Sequence, residues 1–70
     1  MSVHITNRLN ELLDERETNL YQLHQLTGIA YHVLNRHKQN IANRIDYKTL
    51  EKICEALNCR VEDFFRVELA

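Results

Sequence analysis

Apolar residues recur along this 70-residue chain in a series of short helical registers. Leu9, Leu12 and Leu13 stand at the i, i+3, i+4 spacing of one helix face, with Asn7, Arg8, Glu11, Asp14 and Glu15 pointing elsewhere. The spacing predicts a first helix from about Thr6 to Arg16. Glu17-Thr18-Asn19 breaks it. Asn19 is a good N-cap, and Gln22 three residues on completes an Asn-x-x-Gln variant of the capping box. A second helix, Leu20 to about Leu26, follows with Leu20, Leu23 and either Leu26 or Thr27 facing inward. Gly28 lies just past its end, where a left-handed residue stops a helix and glycine meets no steric penalty.

A third helix begins near Ala30. Val33 and Leu34 face inward, with His37 one turn further, while Tyr31, His32, Asn35, Arg36 and Gln39 take the other side. Residues 39–45 read as a loop. Asp46 caps a fourth helix, Tyr47 to Leu57, in which Leu50, Ile53, Cys54 and Leu57 share one face. Tyr47 is assigned to the core. Asn58 suits the left-handed position at the helix end. A last short helix, Val61 to Phe65, offers Val61, Phe64 and Phe65 for burial. The tail Arg66-Val67-Glu68-Leu69 alternates as an edge strand does, and so does Val3-His4-Ile5. Those two ends pair either within one chain or across a dimer.

Composition narrows the fold class. One glycine and no proline leave few turns for a sandwich or barrel. The apolar fraction of 44% and charged fraction of 27% are those of a globular chain, not a disordered one. The expected architecture is all-α: five helices, with a tight turn between the second and third, and short strands at the termini. At this length a chain buries roughly 60% of its unfolded surface, so residues 1–70 are expected to form one domain without a deep catalytic cleft. Gly28 stands without glycine neighbours, which excludes a Gly-rich phosphate loop. No paired carboxylates, activated nucleophile or metal-ligand spacing is present, so no enzyme, catalytic residue, metal or cofactor is expected. Cys54 and Cys59 are expected to be reduced thiols that pack against the core. No apolar run reaches the 18 or so residues of a membrane span, and the N-terminus lacks a signal peptide. The chain is therefore expected in the cytosol.

Charge is unevenly spread around a net of -1. Residues 1–30 carry two basic and four acidic side chains, net -2, and residues 49–70 carry three basic and five acidic, again net -2. Between them, Arg36, Lys38, Arg44 and Lys48 face Asp46, net +3, beside His32 and His37. Such asymmetry points to one cationic face for an anionic partner. His37 borders this segment, where protonation would add charge in acid.

Two helices joined by a short Gly turn make a helix-turn-helix, here over about residues 19–38. The stretch NLYQLHQLTGIAYHVLNR, Asn19 to Arg36, resembles the helix-turn-helix of the Cro and phage-repressor-like family, in its Xre branch. Leu23, Gly28, Ile29 and Leu34 sit at that family's spacing. Ile45 to Phe65, IDYKTLEKICEALNCRVEDFF, looks like its fourth and fifth helices, and ITNRLNELLDER like its first. The likeness covers about residues 5–65 and is that of a minimal one-domain, lambda-repressor-like regulator.

The resemblance implies duplex DNA as the partner, with the third helix in the major groove. Ala30, Tyr31, His32, Asn35 and Arg36 become the base-reading positions. Arg36 would bond guanine O6 and N7, and Asn35 adenine N6 and N7. Asn19, Tyr21, Lys38, Arg44 and Lys48 become phosphate contacts. A homodimer on an inverted repeat is expected, because one such helix makes few base contacts and two half-sites double them. Phe64, Phe65, Val67 and Leu69 exceed what so small a core hides, so they are assigned to the dimer interface. The expected function is a transcriptional regulator, a repressor, working in a prokaryotic or phage cytosol at the nucleoid. Some positions depart from the family pattern. His24 stands where a small residue is usual, Thr27 and His37 where larger aliphatics are usual, and Ala30 where a Ser or Thr cap is usual. Leu20 replaces a common phosphate-binding Gln, and Arg60 a typical cap. These departures also suit a protein-binding module on the same fold, antitoxin-like or anti-repressor-like.

Overall fold

Val3, Ile5, Val67 and Leu69 alternate with polar neighbours, and this alternation brings the two ends of the chain together. In a computed structural model that describes residues 2–69, strand β1 (Val3–Asn7) pairs antiparallel with β2 (Phe65–Leu69), within one chain. Val3 lies opposite Leu69, Ile5 opposite Val67 and Asn7 opposite Phe65. Opposed residues share a face, and so do alternate ones. Val3, Ile5, Val67 and Leu69 therefore form one apolar plate.

Between the strands run α1 (Leu9–Glu15), α2 (Leu20–Thr27), α3 (Tyr31–Lys38), α4 (Tyr47–Leu57) and α5 (Val61–Phe64). The architecture is mostly helical with two terminal strands, as expected. The first helix begins at Leu9 and not at Thr6, because Thr6 and Asn7 are taken up in β1. Asn7 makes the change of direction. Its Oδ1 accepts from the Leu9 N–H at 3.0 Å, while the Arg8 N–H donates to the Phe64 carbonyl at 2.7 Å.

The caps follow the sequence closely. Asn19 Oδ1 accepts from the Gln22 N–H at 2.9 Å, and Gly28 takes φ 74° at the end of α2. The reciprocal half of that capping box is not made: the Gln22 side-chain oxygen accepts from the Thr18 hydroxyl at 2.5 Å. Asp46 Oδ1 accepts from the Thr49 N–H at 2.7 Å, and those bonds hold the Asp46 carboxyl below the usual carboxylate range. Asn58 adopts φ 51° after α4, with the Cys59 N–H bonded to the Cys54 carbonyl and the Asn58 N–H to the Glu55 carbonyl. This is the Schellman pattern, which brings the flanking side chains together. Burial and the neighbouring Cys59 push the Cys54 thiol up to about 11. Arg16 closes the same end, donating to the Leu57 carbonyl at 2.8 Å and to the Asn58 carbonyl at 3.3 Å.

The core is Leu9, Leu12, Leu13, Leu20, Leu23, Leu34, Ile53, Leu57 and Phe64, each buried. Leu50, Cys54 and Cys59 are half-buried against it. Three assignments change, and one alternative is settled. Leu26 is 72% exposed, so Thr27 is the inward member of that pair, its hydroxyl donating to the Leu23 carbonyl at 2.7 Å. Tyr47, placed in the core from sequence, is 82% exposed, because it opens the first turn of α4 on the outer side. Val61 is exposed, and Phe65 leaves α5 to start β2. A single-turn helix has one inward position, and Phe64 fills it, edge-on to Phe65 at a ring separation of 5.0 Å.

A polar clamp joins β1 to the end of α3. Asn40 stands at φ 59° with its N–H on the His37 carbonyl, and the next N–H, of Ile41, reaches the Arg36 carbonyl. Its side-chain amide pairs with the peptide of Asn7 as a neighbouring strand would: Oδ1 accepts from the Asn7 N–H at 2.8 Å, and Nδ2 donates to the Asn7 carbonyl at 3.3 Å. Asn7 Nδ2 donates in turn to the His37 carbonyl at 2.8 Å. Asn40→Ala loses this pairing and puts at φ 59° a residue without the polar side chain that lets Asn tolerate the left-handed region, so destabilisation of about 2 kcal/mol is expected. Asn40→Gly keeps the backbone freedom and loses only the amide, so a smaller loss is expected. Urea unfolding of the two variants checks this, and equal losses would remove the backbone part of the explanation.

Candidate nucleic-acid interface

Helix α3 buries two of its side chains, Leu34 and His37. At 3.6 residues per turn, His32 and Arg36 lie one turn apart and opposite Leu34. Both are exposed, as are Ala30 and Tyr31, while Asn35 is half-buried. The five base-reading candidates therefore occupy the outer side and the start of one helix. Ala30 provides no side-chain cap, so the first-turn N–H groups of α3 keep their donors free of side-chain partners.

The phosphate candidates are more scattered. Arg44 and Lys48 are exposed, one in the loop before α4 and one on α4, and Lys38 is half-buried at the end of α3. Asn19 is exposed, but its side chain is committed to capping α2. Tyr21 is exposed with its hydroxyl accepting from Gln25 Nε2 at 2.8 Å. The assigned dimer residues divide. Phe64 is buried and belongs to the core, which corrects its assignment to an interface, and Phe65 is half-buried. Val67 and Leu69 are exposed, and Val3 and Ile5, which sequence reasoning left out of the surface, lie beside them. The register that groups the four is a pairing across the whole chain, invisible in either segment by itself.

Electrostatics separates the molecule into two sides. Arg8 pairs with Glu11 at 3.1 Å and Glu15 at 2.9 Å. Arg16 pairs with Glu15 at 3.4 Å, Arg60 with Glu62 at 3.0 Å, and Arg66 with Glu11. Those two guanidiniums, Arg66 and Arg8, hold the Glu11 carboxyl below its usual range. Arg36, Lys38, Arg44, Lys48 and Lys52 pair with no carboxylate among the described residues. No Asp or Glu occurs between Glu17 and Asp46. The helix-turn-helix and the loop after it thus carry unneutralised cations, while every arginine outside them is tied to an acid. That acid-free stretch is a sequence signal that segment charges only partly revealed. Val33, Arg36, Asn43 and Arg44 line a cleft of about 320 Å³ on this side.

Two histidines that depart from the family pattern have structural explanations. His24 turns aside: its Nδ1 lies 2.6 Å from the Ile29 carbonyl. A carbonyl only accepts, so Nδ1 carries the proton, and the bond pins α2 to the residue that follows the Gly28 turn. His37 takes an aliphatic position in the core and is 7% exposed. Among the described residues, no group of three or more His, Cys, Asp or Glu is placed to hold a metal ion, and no helix is long and apolar enough to cross a membrane.

With the geometry in place, comparison with known proteins decides the family. The model of the Cro/C1-type helix-turn-helix DNA-binding domain matches residues 8–69. The chain belongs to that family. The fold is also that of the transcriptional regulator VanUg in its crystal form II, with a TM-score of 0.76 at 22% identity, covering 100% of this chain and 92% of that one. No curated protein sequence matches the chain.

Burial, and then the charge of Arg36, hold His37 below its usual value of 6.5, so it is neutral near pH 7. The acid-driven cation proposed from its place beside the loop is therefore opposed by its surroundings. A lowered folded value means that the unfolded chain takes up the proton first. The stability tied to neutral His37 is present above 6.5 and is lost as pH falls from there toward the folded value. Urea midpoints should drop between about pH 7.5 and about pH 5.5, and less so in His37→Gln, since the other three histidines are common to both proteins. Equal pH slopes in the two would show that His37 is not held low.

Proposed function

We propose that this Cro/C1-type chain is a sequence-specific transcriptional regulator that reads duplex DNA with α3 in the major groove and represses by occupying its operator. The observation that carries the reading is the placement of free cations: among the described residues, the Lys and Arg side chains in no ion pair lie on α3, α4 and the loop between them. In that docking, Arg36 and Asn35 reach base edges, with His32, Tyr31 and Ala30 against the groove floor. Arg44, Lys38 and Lys48 meet phosphates, and the N–H groups near Asn19 and Tyr21 approach a further one. Residues 1–70 act as one helix-turn-helix domain, in the cytosol where the DNA is. VanUg, the structural neighbour, is a transcriptional regulator, which agrees with the reading.

The second copy of a homodimer supplies the second half-site, one helical turn or about 34 Å away. Its surface is the apolar plate of Val3, Ile5, Val67 and Leu69, which are 59%, 62%, 62% and 68% exposed. Four large aliphatics on one face of a two-stranded sheet are more than a monomer leaves in water without a use, and a plate packed on its own copy is self-complementary by symmetry. A second reading, a protein-binding module, is favoured by exposed Leu26 beside Tyr21 on α2.

Selection from random duplex DNA tests the first reading. An inverted repeat should be enriched by the wild-type protein, and Arg36→Ala should weaken binding by about 1–3 kcal/mol and relax one position of each half-site. Lys48→Ala should weaken all sequences alike and reduce the slope of log affinity against log salt by about 1. If no sequence is enriched and affinity stays near the about 10⁻⁴ M of weak non-specific binding, the protein-binding reading takes over. Ile5→Lys with Val67→Lys should convert a dimer to a folded monomer in sedimentation equilibrium, while an unchanged mass would place the interface elsewhere.

A further inference from the structure

A second cleft lies behind the loop that joins α3 to α4, facing β1 and not the proposed DNA side. It measures about 270 Å³. Ala42, Asn43 and Arg44 are common to this cleft and to the one beside Arg36, so the loop is the wall between them, and His37 lines both. Ile5, Ile45 and Phe65 make an apolar side, and Arg44, Asn43 and Asn40 a side rich in donors. No Asp or Glu lines it.

His37 is the feature that calls for a ligand. The residue is more than nine-tenths buried, yet its ring nitrogens bond to no described residue. No buried side-chain N or O among the described residues is sealed off without a partner, so the imidazole opens into the clefts it lines. Side chains buried this far ordinarily have a partner within the protein. Here that place is open to water or to a solute that enters the cleft. A neutral imidazole offers one N–H and one acceptor, and the Arg44 guanidinium offers a fork that matches a carboxylate.

We propose that this cleft binds a small carboxylate with an apolar body, the carboxylate on Arg44 and His37 and the body against Ile45 and Phe65. At about 30 Å³ for each water-sized group, the cleft holds roughly nine non-hydrogen atoms, the size of benzoate. An occupant engages the same Arg44 that the DNA reading assigns to a phosphate, so on that reading it competes with DNA. The binding itself does not depend on the DNA reading.

Benzoate is the probe, with uncharged benzamide of the same shape beside it, in amide NMR titrations of the full chain. Saturable shifts are expected at Asn7, Asn40, Arg44 and Ile45, with benzamide at least about tenfold weaker, a change of 1.4 kcal/mol. Arg44→Gln, an exposed position in a loop, should fold as the wild type does and bind the two probes equally. Shifts that fail to saturate, or that spread to Lys48 and Lys52, overturn the site. Saturating benzoate should lower the affinity of the wild-type protein for its selected DNA several-fold. Unchanged affinity there overturns the competition. A chain that binds benzoate as expected and selects no DNA separates the failure of the DNA reading from that of the cleft.

Discussion

The rotation of α3 about its own axis is fixed by Leu34. An eight-residue helix is too short to be stable in isolation, so its existence and its orientation both come from the side chains it buries. Leu34 is wholly buried and His37 nearly so. Once that stripe faces the core, helical geometry leaves His32 and Arg36 no choice but the opposite side. The start of α3 is set by a different device. Gly28 stops α2 in a left-handed conformation, and His24 reaches past it to hold the Ile29 carbonyl. The angle between the two helices is thereby fixed at both sides of the turn by one backbone conformation and one side-chain bond. A wider crossing, which an imidazole at position 24 would otherwise demand, is avoided because the ring is used outside the crossing.

Charge is distributed by the same logic of use. Arg8 and Arg16 lie on or beside α1, yet their guanidiniums reach carbonyls of other elements: Asp63 for Arg8, and Leu57 and Asn58 for Arg16. Bonds of this kind satisfy helix-end carbonyls and link elements far apart in sequence. Their carboxylate partners keep the net charge of that side low. The exposed ion pairs themselves contribute little, of the order of 0–1 kcal/mol each. Their effect is on the field. No Asp or Glu stands between Glu17 and Asp46, so the cations of α3 and the loop that follows have no acid in their own stretch of an overall weakly acidic chain. Net charge therefore said little about the partner, and the pairing said a great deal.

What the sequence made legible, and what it hid, divides by range. The leucine stripes of α1, α2 and α4, and the caps at Asn19, Gly28, Asp46 and Asn58, depend on residues within four positions of each other, and each was readable. Strand β1 ends at Asn7 because its partner is Phe65, and α1 starts late for that reason. Nothing local distinguishes Thr6 and Asn7 as strand instead of helix. The clamp between Asn7 and Asn40 spans 33 positions and uses two amides that read as ordinary loop residues. Tyr47 and Val61 were misplaced, and Leu26 and Thr27 were left undecided, for a third reason: in short helices several apolar residues compete for one or two inward positions, and the winner depends on where the neighbouring helix lies. The outer residues of α3 were legible because Leu34 and His37 were, although Val33, assigned inward, is only half-buried and lines the cleft beside Arg36. The apolar plate was not, since half of it sits at each end of the chain.

The departures at Ala30 and His37 belong to one trade. A Ser or Thr before α3 would add about 0.5–2 kcal/mol of helix stability, and an aliphatic at position 37 would remove a buried imidazole from the core. Neither is present, so α3 is held less firmly than its neighbours by its own sequence. The clamp restores part of that firmness from outside, through the His37 carbonyl and the left-handed turn at Asn40. It does so at the end of α3 that leads into the Arg44 loop. The start of that loop is thus tied by hydrogen bonds to β1, which pairs with β2.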